Sequence, residues 1–236
     1  MWRTSGARGR STCRRPQRFF QHVRLPEDGA APVIARLAGG AADRRMLVLD
    51  RTNRKIGETE VNLLLPAIRT RHSQVPLMAV VLDRVGNSGT PERIALMQRY
   101  GAIFGQEGIA MLLADREFVG EDWLNWLDRK DIPFTIRLAH HRFVTRADGC
   151  KVSLATQITL HKQGRRTTAT LDGMARPLHF AALKPKGGER VIVATYRTGH
   201  DALATYRKRW AIESVRPTHS NRWRSGPHSA TPRPAA

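Results

Sequence analysis

Apolar residues fall into short runs between polar turns from residue 46 onward. Residues 46–49 are apolar and end on the carboxylate Asp50, after which the chain turns polar through Asn53 and Gly57. This predicts a buried strand with an acid at its end. Residues 61–69 and 75–83 are two more apolar runs flanking the polar stretch 70–74, which predicts adjacent antiparallel strands, weakened by Pro66 and Pro76. Residues 87–91 (NSGTP) mark a loop and a helix start, with Thr90 as N-cap and Pro91 at the first helical position. Ile94, Met97, Tyr100 (or Gly101) and Phe104 then recur at helical spacing. Residues 109–114 form a second buried strand that also ends in an acid, Asp115. Within 120–130, Trp123, Trp126 and Leu127 stand at i, i+3 and i+4, an amphipathic helix, and 133–138 is strand-like. Strands joined by intervening helices give a mixed α/β class for 46–138.

The texture changes at residue 139. Short runs at 143–145, 151–154, 157–160, 167–171, 178–183 and 190–195 are broken by Asp148-Gly149, Asp172-Gly173 and Gly187-Gly188, which are hairpin signals. Residues 139–198 therefore read as a β-rich insertion. Helical spacing returns at 199–214, where Leu203, Tyr206, Trp210 and Glu213 share one side. Residues 1–45, rich in Arg, Gly and Ser with a short helix-like piece at 33–37, read as a basic, poorly ordered arm. Residues 215–236, with four prolines and no acid, read as a disordered basic tail.

Lys and Arg number 40 against 20 acids in 236 residues, a net charge of +20, and 33 of the cations are Arg. Such a surface attracts polyanions, and Arg suits bidentate phosphate contacts, so nucleic acid is the default partner. Cys13 and Cys150 share no metal-ligand or disulfide spacing, which fits a reducing cytoplasm. No apolar run approaches the roughly 20 residues that cross a bilayer, so no membrane partner is expected. The first 24 residues share the acid-free composition of transit peptides and lack the apolar stretch of a secretory signal.

Asp50 and Asp115 both end apolar strands, where ligand sites of mixed sheets gather, and Glu213 lies on the inner side of a later helix. Three converging carboxylates in so basic a chain call for something cationic among them. A divalent metal held by oxygen ligands answers that need, and two such ions could drive phosphodiester displacement. A helix-capping Asp and an Arg-paired Glu are the plain alternatives.

Three blocks, Leu49-Asp50-Arg51-Thr52-Asn53, Leu113-Ala114-Asp115-Arg116-Glu117-Phe118 and Tyr206-x-x-Arg209-x-x-x-Glu213, resemble the acidic blocks of DDE transposases of bacterial insertion sequences, above all the insertion sequence four family. The separations of 65 and 98 residues between the acids are also similar to that family, which carries a β-rich insertion before its Glu. The resemblance covers about residues 46–213. It implies a ribonuclease H-like mixed sheet with flanking helices, with Asp50, Asp115 and Glu213 as catalytic acids holding Mg²⁺, for which Mn²⁺ can substitute. It implies cut-and-paste transfer of double-stranded DNA ends, a homodimer bridging two ends, and a bacterial cytoplasmic, nucleoid-associated location. Tyr206 and Arg209 match the family's residues that support the site and contact the DNA end. About 100° per residue also brings Tyr206, Arg209 and Glu213 within roughly 60° of one another on a helix. Arg207 and Lys208 beside them, with Arg165, Arg166, Lys184 and Lys186, are candidate phosphate contacts.

The family's Lys would stand at Ser220, and Pro217 would break a helix running to it. Residue 54 is Arg where the family commonly has an aromatic residue, and the N-terminal end-recognition domain is short or missing. The chain thus reads as a transposase truncated or degenerate at both ends. Two other readings stay open: a non-catalytic basic DNA-binding remnant, and a general ribonuclease H-like nuclease. His140, His141 and His161 are read as solvated hairpin residues before metal ligands, and Trp123 and Trp126 as core before base-stacking platforms. Asp83, Asp122, Glu117 and Asp128 are read as surface or capping acids, with Glu117 also a candidate supporting group because it follows Asp115 by two residues.

Overall fold

The computed structural model describes residues 22, 28–39, 44–56, 58–83, 86–160, 166–184, 189–196 and 201–210. Helix α1 (Ala31–Gly39) is followed by strands β1 (Arg45–Ile56), β2 (Thr59–Arg69), β3 (Gln74–Pro76) and β4 (Val80–Val81). Helix α2 (Thr90–Phe104) leads to β5 (Ile109–Ala114), and a 3-10 turn (Arg116–Phe118) with helix α3 (Glu121–Arg129) leads to β6 (Phe134–Leu138). There follow β7 (Phe143–Thr145), β8 (Lys151–Ser153), α4 (Leu154–Leu160), β9 (Arg166–Leu171), β10 (Leu178–Leu183) and β11 (Val191–Thr195). Helix α5 (Ala202–Arg207) and a 3-10 turn (Lys208–Trp210) complete the described elements.

The strands order as β3-β2-β1-β5-β6-β11-β10-β9-β7-β8, with β4 on β2. Strand β1 runs parallel to β5 and β5 parallel to β6, while β2 is antiparallel to β1. The parallel joins need crossovers, which α2 and α3 supply. This half is the ribonuclease H-like mixed sheet with flanking helices, and the β-rich segment extends the same sheet through β11 on β6.

Side-chain alternation divides the sheet into two faces. Leu47, Leu49, Leu112, Ala114, Phe134 and Ile136 enter the main core with Leu96 and Tyr100 of α2 and Trp123 and Leu127 of α3. Their neighbours Val48, Met111 and Leu113 turn to the opposite face, where Val193 and Ala181 pack against Ala202 and Tyr206 of α5. Trp123 and Trp126 are buried and stacked 5.5 Å apart. They are core residues and offer no platform to a base.

Several local expectations change. Residues 28–39, assigned above to the poorly ordered arm, form a turn and α1, with Ala31 and Ala35 buried and Asp28 bound by Arg99 at 2.6 and 2.7 Å. Strand β1 does not end at Asp50, because pairing with β2 continues to Ile56 opposite Thr59, and a backbone ladder is indifferent to the polar side chains of 51–55. The run 75–83 is two short pieces, since Pro76 has no N–H for a ladder. Gly89, one residue earlier than Thr90, caps α2. Residues 157–160 are helical: Ser153 Oγ accepts from the Thr156 N–H at 3.1 Å, and Leu154 and Ile158, one turn apart, are both buried. Glu213, Pro217, Ser220, His161, Arg165, Lys186 and the tail lie outside the described residues. Among those described, no helix is long and apolar enough to cross a membrane.

Candidate active site

Strands β1 and β5 pair in parallel as far as Leu49 opposite Ala114, so the next residue of each, Asp50 and Asp115, stands at the carboxyl edge of the sheet. Each carboxylate is anchored by the backbone that follows it. Asp50 Oδ1 accepts from the Arg51 N–H at 3.0 Å, and Asp115 Oδ1 from the Arg116 N–H at 2.7 Å, capping the 3-10 turn. Equal phase in the pleat puts both acids on the face covered by α5.

Helix α5 delivers the other half of the site. Asp201 caps it, accepting from the N–H groups of Leu203 and Ala204. Those bonds, from Ala204 above all, hold the Asp201 carboxyl below the usual carboxylate range. Tyr206 is buried, its ring edge-on to Trp210 at 5.5 Å, and its hydroxyl donates to Asp115 Oδ1 at 3.3 Å. Burial first, then the negative charge of Asp115, push the phenol well above its ordinary range. Tyr206 is therefore a hydrogen-bond donor throughout the neutral range.

Arg209 lies between the two acids. Its Nη2 is 3.2 Å from Asp50 Oδ1 and its Nη1 3.7 Å from Asp115 Oδ2. The turn that carries it is tied to the β2–β3 edge: Arg69 Nε donates to the Lys208 carbonyl at 2.6 Å, and Gln74 Nε2 donates to the Arg209 carbonyl. Arg207, the last residue of α5, and Lys208, the first of that turn, are exposed.

Two carboxylates that share one guanidinium are within reach of a single cation, and their oxygen donors suit a hard divalent ion. Among the described residues no three His, Cys, Asp or Glu converge, and Glu213 lies outside them. His140 and His141 are exposed, their rings edge-on 5.7 Å apart, and no cluster of metal ligands surrounds them among the described residues. Asp83 and Asp122 are exposed, and Asp128 pairs with Arg176 at 3.4 Å.

On the far face of the sheet, Arg51 Nε meets Glu117 Oε2 at 3.1 Å, and its other nitrogens meet Asn62 Oδ1 at 3.2 Å and Asn87 Oδ1 at 3.5 Å. Arg93 donates to the Glu117 carbonyl at 2.9 Å. Sequence reading placed Glu117 beside Asp115 but did not find Arg51, Asn62, Asn87, Arg69 or Gln74 as partners. Only the place of Arg51 and Glu117 inside the two acidic blocks hinted at them.

The family model described as "Transposase DDE domain" matches residues 43–230. No curated protein matches the chain. Among solved structures, the piggyBac transposase synaptic complex with hairpin DNA is similar at 12% identity, covering 86% of this chain and 46% of that one, with a TM-score of 0.42. A simian T-cell lymphotropic virus intasome bound to a PP2A regulatory subunit is similar at 16% identity over 42% of this chain and 33% of that one, TM-score 0.33. Endonuclease V from Bacillus subtilis is similar at 8% identity over 89% and 85%, TM-score 0.35. The chain spans less than half the length of the first two. The order β3-β2-β1-β5-β6, with β2 antiparallel and β1, β5 and β6 parallel, is the mixed sheet described above.

Proposed function

The chain belongs to the transposase DDE domain family, and from that premise we propose that it cleaves and transfers DNA strands at the ends of a mobile element. The observation that supports this best is the meeting of Asp50 and Asp115, from blocks 65 residues apart, on Arg209 of the third block. In this reading Asp50, Asp115 and Glu213 hold Mg²⁺, or Mn²⁺ in its place. Bound there, the metal supplies Lewis-acid activation of a water or 3′-hydroxyl and stabilisation of the leaving oxygen.

The chain's own groups have separate tasks. Tyr206 donates to Asp115 and keeps its orientation. Arg209 offsets part of the charge of the two acids in the free protein and turns to a DNA phosphate when a cation replaces it, a task its planar fork suits. Arg207 and Lys208, exposed where α5 passes into the turn, meet the DNA backbone. Double-stranded DNA is the partner, a homodimer the working unit and the bacterial nucleoid the location. Within the family, the third block points to the insertion sequence four group, and Ser220 in place of that group's Lys points to a degenerate member with one DNA ligand lost.

The test is nicking of supercoiled plasmid with Mg²⁺ or Mn²⁺, wild type beside Asp50→Asn and Asp115→Asn. Metal-dependent nicking lost in both variants supports the enzyme. Binding without nicking leaves a DNA-binding remnant. Nicking without preference for element ends supports a general nuclease, and robust transposition overturns degeneracy.

A further inference from the structure

We propose that Arg51 and Glu117 form a positioning brace that sets the separation of Asp50 and Asp115; the inference rests on the transposase reading of that site. The parallel ladder between β1 and β5 ends at Leu49 opposite Ala114, one residue short of both acids. Beyond it the two chains part. Asp50 continues along β1 opposite Leu65 of β2, whereas Asp115 leaves the sheet as the cap of the 3-10 turn. The Arg51–Glu117 pair at 3.1 Å bridges that gap from the next residue of β1 to the turn.

Both ends of the brace are themselves held. The Arg51 and Glu117 side chains are only 17% and 22% exposed, so the pair is less screened than a rim ion pair. Arg51 also reaches Asn62 and Asn87, and Asn62 Nδ2 donates to the Gly86 carbonyl at 3.0 Å. The Glu117 carbonyl is bound by Arg93, a buried guanidinium whose Nε donates to Ser88 Oγ at 2.9 Å. The turn that Asp115 caps is therefore fixed through Glu117 to β1, β2 and the loop before α2.

Alternation along β1 places the Arg51 side chain on the opposite sheet face from Asp50. The side-chain pair thus lies on the face away from Asp50 and reaches the site through the turn that Asp115 caps. A misplacement of about 1 Å at a reacting group can cost ~100-fold in rate, which is the leverage the brace holds.

The test compares full-length Arg51→Met, Glu117→Gln, the double variant and the conservative Arg51→Lys with wild type. Plasmid nicking by Arg51→Met and Glu117→Gln should fall ~10- to 100-fold in kcat with little change in KM for DNA. The double variant should be no worse than either single, and Arg51→Lys should recover most of the loss. A second readout needs neither metal nor turnover. The chain has three tyrosines, so 3-fluorotyrosine labelling gives three ¹⁹F resonances, of which Tyr206→Phe assigns the one 3.3 Å from Asp115. At fixed pH that resonance should shift in Arg51→Met and Glu117→Gln while those of Tyr100 and Tyr196 stay in place. An unmoved Tyr206 resonance, or additive losses in the double variant, overturns the brace. If wild type itself fails to nick, the transposase reading falls, and the ¹⁹F shift alone decides whether the brace positions Asp115.

Discussion

Arg209 gives two carboxylates a counter-charge without any metal, and that has a thermodynamic consequence at the level of one residue. Removing it leaves Asp50 and Asp115 facing each other uncompensated. The penalty for unpairing a fully buried ion pair is about 3–5 kcal/mol. Asp50 is 43% exposed, however, so hydration relieves most of that cost, and about 1 kcal/mol is a reasonable size. Arg209→Gln should therefore lower Tm of the metal-free protein by about 2–4 °C. The same variant should gain more from Mg²⁺ than wild type does, because the ion then brings compensation that Arg209 already provides in wild type. Thermal unfolding of both proteins with EDTA and with Mg²⁺ measures the two effects. A variant as stable as wild type and blind to Mg²⁺ would mean that the guanidinium does not neutralise the acids.

At the scale of elements, α5 is the weak member that the site depends on. Six residues cannot sustain a helix alone, so it persists through its Asp201 cap and the packing of Ala202 and Tyr206 on Ala181 and Val193. Folding lowers the pKa of Asp201 and so favours its ionised form; its contribution is present above the unfolded carboxylate range, near pH 4, and fades as pH falls through the lower folded value. Asp201→Ala should accordingly unfold at lower temperature than wild type at pH 7, and the gap should close on acidification below about pH 4. A gap of equal size at pH 3 and pH 7 would assign the effect to lost packing. The same element shows what a sequence discloses. The spacing of Tyr206 and Arg209 was legible because a helix puts i and i+3 on one side, and Asp50 and Asp115 were legible because each ends an apolar run. Residues 157–160 were misread because two apolar residues in a short β-textured stretch fit either period, and the Ser153 cap decided for helix. The polar half of β1 carried no hydrophobic signal at all, since its partner is a backbone ladder. Arg51 and Glu117 meet across 66 residues, and pairs so distant leave no periodicity to read.

For the whole molecule, the net charge of +20 and the two-acid site have separable tasks. Many of the arginines are already engaged: Arg51, Arg99, Arg137, Arg176 and Arg209 all pair with carboxylates in the fold. In the proposed function the surplus that remains would meet DNA, through phosphate contacts that displace counterions. If about six phosphates are neutralised, affinity for a short duplex in EDTA should fall about 1,000-fold between 50 and 200 mM salt. Asp115→Asn removes one negative charge from a site whose Arg209 still faces Asp50, so its salt slope should match wild type while its nicking is lost. Filter binding across a salt series, run on both proteins, makes the comparison. A shallow slope in wild type would mean that the surplus charge is not what captures DNA, and a steeper one in Asp115→Asn would mean that Arg209, once freed from Asp115, has become a phosphate contact. That second result would tie the two scales together, since the group that quiets the acids in the free protein would be the one that grips the substrate when they are otherwise occupied.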